Sequence, residues 1–224
     1  LMVGSTDKYL RFFKIDGEKN EKQHGILFND MIISSADFVG RTLSQVLVAG
    51  RKPYFYTYDM RSGRSMKIPG LHGKGLKSHE LMTVSPLGTK IAFAGVGGYV
   101  HIVCGIQKTI MFDVKMNTAA RCMTFTDEDH LLTSGLDADV YVWDLRYQGR
   151  CLGKFPHDDG TCSSSIRYHP SGYMALGAES GVVSLYETSN SILSGLTNAM
   201  PVKIKSVMNL TMKINSLAFH PSGQ

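Results

Sequence analysis

The sequence predicts an all-β protein assembled from repeated four-stranded sheets. Three observations carry that expectation: a recurring strand pattern, a fixed period, and one position held in register. The pattern is an apolar run, a small residue, a polar turn and an alternating strand ending in an aromatic. Its cleanest copy is Leu131-Leu-Thr-Ser-Gly-Leu-Asp-Ala-Asp-Val-Tyr-Val-Trp143, followed by Asp144; residues 1–14, 46–59, 91–104 and 174–187 align to it. Phe13, Tyr58, Val103 and Tyr186 fill the place of Trp143, and the five positions are separated by steps of 45, 45, 40 and 43 residues. That period matches the ~40–45 residues of a WD-type propeller blade. A β-sandwich also has short strands and frequent turns, but no repeat of this length with one position in register. The expected architecture is therefore a WD-repeat β-propeller, with five repeats visible and the start of a sixth. Residues 1–224 are expected to form a partial propeller, truncated at both ends, from a seven-bladed ring.

Each repeat opens with a short apolar strand and a tight turn. The turns are Ser85-Pro86-Leu87-Gly88, His169-Pro170-Ser171-Gly172 and His220-Pro221-Ser222-Gly223. Proline presets φ and glycine tolerates the exit. Thr126-Asp127-Glu128-Asp129 takes the same place without either residue. In the Trp143 repeat the strands are expected at 121–125, 130–135, 140–145 and 151–155. The third strand alternates Val140, Val142 and Asp144 on one face with Tyr141 and Trp143 on the other. A sheet with two apolar faces needs a neighbour on each. Residues 189–201 show no strand pattern and read as a loop, and helix content should be very low.

The repeats are degenerate. Regular WD repeats place an Asp six residues before the Trp, where it helps a His, a Ser/Thr and the Trp form a hydrogen-bonded set. Here that position holds Asp7, Lys52, Gly97, Asp137 and Ser180, so only two copies keep the Asp and one keeps the Trp. Apolar packing and backbone ladders must hold the other blades. Asp137 reads as a structural turn residue.

Composition narrows the functional classes. The chain is 43% hydrophobic and 19% charged, enough for a sizeable core. No apolar run approaches the ~20 residues of a membrane helix, so no membrane partner is expected. Lys plus Arg is 24 against 19 acidic residues, giving +5. That surplus suits either an ordinary solvated surface or contact with a polyanion. It is spread out, with its densest cluster at Arg61, Arg64, Lys67, Lys74 and Lys77. Cys104, Cys122, Cys151 and Cys162 form no CxxC pair, which argues against zinc-ribbon and thioredoxin readings and points to a reducing compartment. The first three lie in or beside apolar strands, where buried free thiols are common.

The sequence contains no GxxxxGK[ST], GxGxxG, HExxH or GxSxG. Its most enzyme-like stretch, His157-Asp158-Asp159-Gly160-Thr161-Cys162, falls between two blades, where Asp-Asp-Gly is ordinary turn chemistry. No catalytic residue, cofactor, metal or small-molecule substrate is expected. Asn209-Leu-Thr211 matches a glycosylation sequon by chance. Tyr54, Tyr56, Tyr99 and Tyr147 could stack on RNA bases, although strand aromatics more often pack between blades.

Several segments go beyond a generic repeat. Lys203-Ile-Lys-Ser-Val-Met-Asn-Leu210 precedes Ile214-Asn-Ser-Leu-Ala-Phe-His-Pro221. Upstream lie Tyr56-Thr-Tyr-Asp-Met60 with Ser62-Gly63, Val84-Ser-Pro86 leading to Gly98-Tyr99, Val140-Tyr-Val-Trp-Asp144, and Ser180-Gly-Val-Val-Ser-Leu-Tyr186. In this order they resemble the U3 small-nucleolar-RNA-associated WD-repeat protein eighteen family over nearly the whole chain. The resemblance implies a nucleolar, non-catalytic scaffold of the small-subunit processome that supports pre-rRNA processing and 18S rRNA maturation. It implies docking with other WD-repeat proteins of the Utp-B subcomplex on the U3 snoRNA and pre-rRNA particle. Arg51, Lys52, Arg61 and Arg64 are the expected contacts if one face touches RNA. The competing reading is a generic WD-repeat adaptor, such as a ubiquitin-ligase substrate receptor.

Overall fold

The computed structural model describes residues 1–16, 19–40, 44–69, 80–157, 160–189, 191–194, 199–207 and 212–220. Within them the strands form five antiparallel sheets, each a simple meander in chain order. The first holds β1 (Met2–Gly4), β2 (Tyr9–Asp16) and β3 (Lys19–Leu27). The second holds β4 (Ile33–Val39), β5 (Gln45–Gly50), β6 (Phe55–Asp59) and β7 (Arg64–Ile68). The third holds β8 (Leu81–Val84), β9 (Lys90–Ala94), β10 (Tyr99–Cys104) and β11 (Ile110–Lys115). The fourth holds β12 (Ala120–Phe125), β13 (His130–Gly135), β14 (Asp139–Asp144) and β15 (Arg150–Pro156). The fifth holds β16 (Ser163–His169), β17 (Tyr173–Ala178), β18 (Val183–Glu187) and β19 (Val202–Val207). These sheets are five consecutive blades of a β-propeller, with β4, β8, β12 and β16 neighbouring one another along the inside.

The repeat read from sequence is also the strand register. Trp143 pairs with Leu131, Tyr58 with Val46, Val103 with Ile91 and Tyr186 with Met174. Phe13 and Leu1 face each other in the same way, exchanging backbone hydrogen bonds of 2.8 and 2.9 Å. In four of the five blades the pairing of third and fourth strands slips at this residue, at Phe12/Phe13, Ile102/Val103, Val142/Trp143 and Leu185/Tyr186. A bulge there bends the outer edge and increases its twist. The second blade keeps Tyr58 opposite Ser65 without a slip.

Four apolar clusters fill the four junctions between successive blades. Leu10 and Phe12 meet Val46, Val48 and Tyr58; Leu47 and Phe55 meet Ile91, Phe93 and Val103. Val100 and Ile102 meet Leu131, Tyr141 and Trp143; Val140 and Val142 meet Ile166, Leu176 and Tyr186. The repeat position thus always points at the preceding blade. Phe13 is half-buried, whereas its neighbour Phe12 is buried against blade 2. On the far side of blade 5, Ile214 and Leu217 approach Gly177. Ile214 N–H donates to Ala178 O at 3.2 Å and Leu217 N–H to Ser165 Oγ at 3.1 Å. Residues 213–220 run beside blade 5 without forming a strand, and Pro221, Ser222 and Gly223 of the expected sixth opener lie outside the described residues.

Two details differ from the sequence reading. Leu145 leaves the third strand and begins a 3-10 turn, Leu145–Tyr147, because Asp144 caps that turn through the Arg146 N–H. Within 189–201, Ile192–Ser194 is a second 3-10 turn, and Ile192 and Leu193 plug the core beside Phe155.

Candidate functional site

Antiparallel strands send a blade's hairpin turns to alternate ends. Turns after the first and third strands lie at one end of the propeller. Turns after the second strand, and the links between blades, lie at the other.

At the first end the turns are fastened into one hydrogen-bonded floor. Glu128, in the turn after β12, accepts from Ser85 Oγ at 2.8 Å, and also from the Leu87 N–H and the Thr89 hydroxyl. Lys90 Nζ returns a bond to Glu128 O at 2.7 Å and pairs with Asp129 Oδ1 at 2.9 Å. Third-strand turns hang on these: Gly105 N–H donates to Thr89 O at 2.7 Å, Leu145 N–H to Asp129 O at 2.7 Å, and Met60 N–H to Ser44 O at 2.8 Å. Asp127 lies 2.9 Å from His130 Nδ1, and that bond raises the imidazole pKa. In blade 4, Asp144 accepts from Arg146 N, Nε and Nη2 at 3.0, 3.0 and 2.8 Å. The Arg146 guanidinium holds this buried carboxyl below the usual range.

The crest above this floor is apolar and arginine-rich. Ile106 is 85% exposed and Tyr147 67%, with Leu87 and Met60 also exposed. Arg61, Arg64 and Arg150 are exposed beside them. Sequence reasoning passed over Ile106, Met60 and Arg150. The available signal was an apolar residue two to four positions after the repeat position, where a polar turn residue is the rule.

The structure does not bring Arg51, Lys52, Arg61 and Arg64 together. Arg51 and Lys52 lie in the turn after β5, while Arg61 lies in the turn after β6 and Arg64 opens β7. The length of β6 separates the pairs, roughly 16 Å at ~3.3 Å per residue. Arg51 Nε sits 3.8 Å from Glu80 Oε1. Lys67, from the same basic cluster, is spent on Asp30 at 2.9 Å and lies 3.6 Å above the Tyr54 ring. Lys74 and Lys77 lie outside the described residues.

Asp30 fastens blade 1 to blade 2. It also accepts from Tyr54 OH at 3.0 Å and Tyr56 OH at 2.9 Å, while Phe28 packs on Tyr56 with ring centroids 4.9 Å apart. The Lys67 ammonium, then the two hydroxyls, hold the Asp30 carboxyl at a pKa of about 2. Tyr54 and Tyr56 are therefore engaged between blades, and Tyr99 is half-buried with its ring stacked on His101. Of the four tyrosines, Tyr147 is the one that is mostly exposed.

Of the hydrogen-bonded set of a regular repeat, blade 4 keeps one bond: Trp143 Nε1 donates to Thr133 Oγ1 at 2.8 Å. Asp137 accepts from Thr118 Oγ1 at 3.3 Å and from the Tyr141 hydroxyl. Among the described residues no hydrogen bond joins it to the Trp143 pair; it ties the turn after β13 to Thr118 in the link before β12 and to Tyr141.

All four cysteines are free thiols; Cys122 is buried and Cys151 is exposed, although its strand pattern suggested burial. The Cys151 side chain lies on the fourth strand, the outer edge of the blade, next to the bulge at Trp143. Cys162 Sγ donates to Leu136 O at 3.2 Å, a tie between blades 4 and 5. His157 is buried, while Asp158 and Asp159 lie outside the described residues. Among the described residues no group of three His, Cys, Asp or Glu could hold a metal.

No protein-family model matches the chain. Single relatives do, along its entire length. It is 37% identical over 226 residues to the U3 small nucleolar RNA-associated protein 18 homolog of Arabidopsis thaliana, covering 100% of this chain and 40% of that protein. The mouse protein of the same name is 29% identical over 224 residues, covering 99% of this chain and 40% of its own length. A Schizosaccharomyces pombe protein named as a probable U3 small nucleolar RNA-associated protein 18 is 26% identical over 230 residues, covering 100% of this chain and 43% of its own length. The chain is similar to these proteins along its whole length. It spans about two-fifths of the length of the curated relatives it matches. Within the repeat pattern, the blade junctions are where this chain's aromatics and buried carboxylates are spent. The turn crests are where exposed apolar and cationic side chains are left over.

Proposed function

We propose that this chain is a propeller module of a non-catalytic scaffold in the small-subunit processome, the particle that processes pre-rRNA and matures 18S rRNA. The observation that carries the reading is the match along the whole chain to relatives named for their association with U3 small nucleolar RNA. Five blades fastened at every junction suit such a role, since they present rigid turns to several partners at once. The partners are other WD-repeat proteins of the Utp-B subcomplex on the U3 snoRNA and pre-rRNA particle, and the location is the nucleolus. Further blades completing the ring are part of the proposal. RNA contact through Arg51 and Lys52 at one end, or Arg61 and Arg64 at the other, would add salt-dependent affinity through counterion release.

The test is affinity purification of the full-length protein, with sequencing of bound RNA and mass spectrometry of bound proteins. Enrichment of U3 snoRNA and pre-rRNA together with other propeller proteins is the expected result. Recovery of ubiquitin-ligase subunits, with neither RNA enriched, would overturn the reading and leave the fold untouched.

A further inference from the structure

The crest over the first-strand and third-strand turns of blades 2 to 4 combines two properties that a merely solvated surface does not need. It exposes apolar side chains at successive turns: Met60, Leu87, Ile106 and Tyr147. It also carries three arginines whose side chains no ion pair engages, with Asp59 beside Arg61 offsetting only part of their charge. The acidic side chains of this end are hydrogen-bonded within it: Glu128 to Ser85, Leu87 and Thr89, Asp59 to the Arg61 and Ser62 N–H groups, Asp127 to His130, while Asp129 and Asp144 pair with Lys90 and Arg146. Arg61, Arg64 and Arg150 make no side-chain hydrogen bond or ion pair among the described residues, and all three are exposed. The turns themselves are held by the floor of backbone and carboxylate bonds, so little ordering remains for a partner to impose.

We propose that this crest docks a segment of a partner protein in which acidic residues alternate with apolar ones. Ile106, Tyr147 and Met60 are its apolar anchors, and Arg61, Arg64 and Arg150 its cationic rim. Charge complementarity selects an acidic partner. The apolar residues select protein over RNA, because Ile106, Leu87 and Met60 offer nothing to phosphate and no ring for a base to stack on. Arg, Tyr and Met are also the side chains enriched at protein interfaces, where Lys is depleted. The surface lies on the middle blades, each flanked by another blade on both sides. The inference rests on the scaffold reading only in supposing that the protein has partners.

The experiment uses the full-length protein in its own cells, carrying the photo-cross-linker p-benzoylphenylalanine at position 106 or 147, with U3 snoRNA recovery measured in parallel. The expected adduct is a protein segment rich in Asp or Glu and apolar residues. From position 147, its yield should fall at least tenfold with Ile106→Asp and with Arg61→Glu/Arg64→Glu/Arg150→Glu combined. All four side chains are exposed, so the melting temperature should not move, and that measurement guards against misfolding. RNA adducts alone, adducts to a neutral or basic protein segment, a yield insensitive to the substitutions, or no adduct would each overturn the proposal. If U3 snoRNA is absent while the acidic adduct forms, the processome reading fails and the docking surface stands. If U3 snoRNA is present and the adduct is missing, the reverse holds.

Discussion

Trp143 donates its indole N–H to Thr133 Oγ1 at 2.8 Å, diagonally across the paired strands β14 and β13. Both side chains are buried. Replacing one partner strands the other away from water, which costs more than the bond itself contributes. Trp143→Phe keeps the ring packing and orphans the Thr133 hydroxyl; Thr133→Val orphans the indole. Each should destabilise by roughly 1–3 kcal/mol. The double variant should lose less than the sum of the two. Trp143→Ala opens the junction between blades 3 and 4 and should cost about 3–5 kcal/mol. Urea unfolding of the four variants checks this, and strict additivity of the first two would contradict the coupling.

Glu128 works across a blade junction, so its loss should be felt where it accepts. Glu128→Ala removes the acceptor for Ser85, Leu87 and Thr89 together. Hydrogen exchange should accelerate at residues 85–90 while β17 in blade 5 keeps its protection. Equal acceleration in both places would mean global destabilisation instead of a local clasp.

Asp30 gives the junction of blades 1 and 2 an acid dependence. Its folded pKa is about 2 against an ordinary 3.8, lowered chiefly by Lys67. The carboxylate's stabilisation is therefore complete above the unfolded value and is lost as pH falls from about 4 through about 2. Its side chain is 42% exposed, so solvent screening keeps the effect modest. An acid titration of stability should be flatter in this window for Asp30→Asn than for the parent. Parallel curves would rule the contribution out.

The thiols should react in a set order. Burial pushes the Cys122 thiol up to about 12 and hides it in the core. At Cys104 the backbone N–H groups of Gln107 and Ile106 lower the pKa, and the residue is half-buried at the end of β10. Cys151 is exposed, with its pKa raised by partial burial. Iodoacetamide at pH 8 should modify Cys104 before Cys151 and leave Cys122 unmodified until the protein unfolds. Mass mapping of the native protein reads the order directly.

Much of the fold was legible because a propeller repeats one local solution. The strand period of two, the proline-glycine openers and the register from Phe13 to Tyr186 are local features, and each reappears as a strand, a turn or a pairing. The bulge at the repeat position was not legible. It appears only when a fourth strand pairs with the third, and nothing in Val142-Trp143 announces it. The four basic residues read as one contact set because they are near in sequence, yet β6 carries them to opposite ends.

The sequence by itself determined the repeats visible in this chain, the apolar strand faces and the position held in register at the end of each third strand, since these follow from periodicity along one strand. Only the tertiary structure decided which polar groups are spent and which remain. Asp30, Glu128 and Asp144 look alike in the sequence, as do Lys67 and Arg64. Pairing is a relation between blades dozens of residues apart, set when the sheets pack side by side. Once the carboxylates at the turn end are taken up, the arginines and apolar tips above them are what the propeller presents to its surroundings.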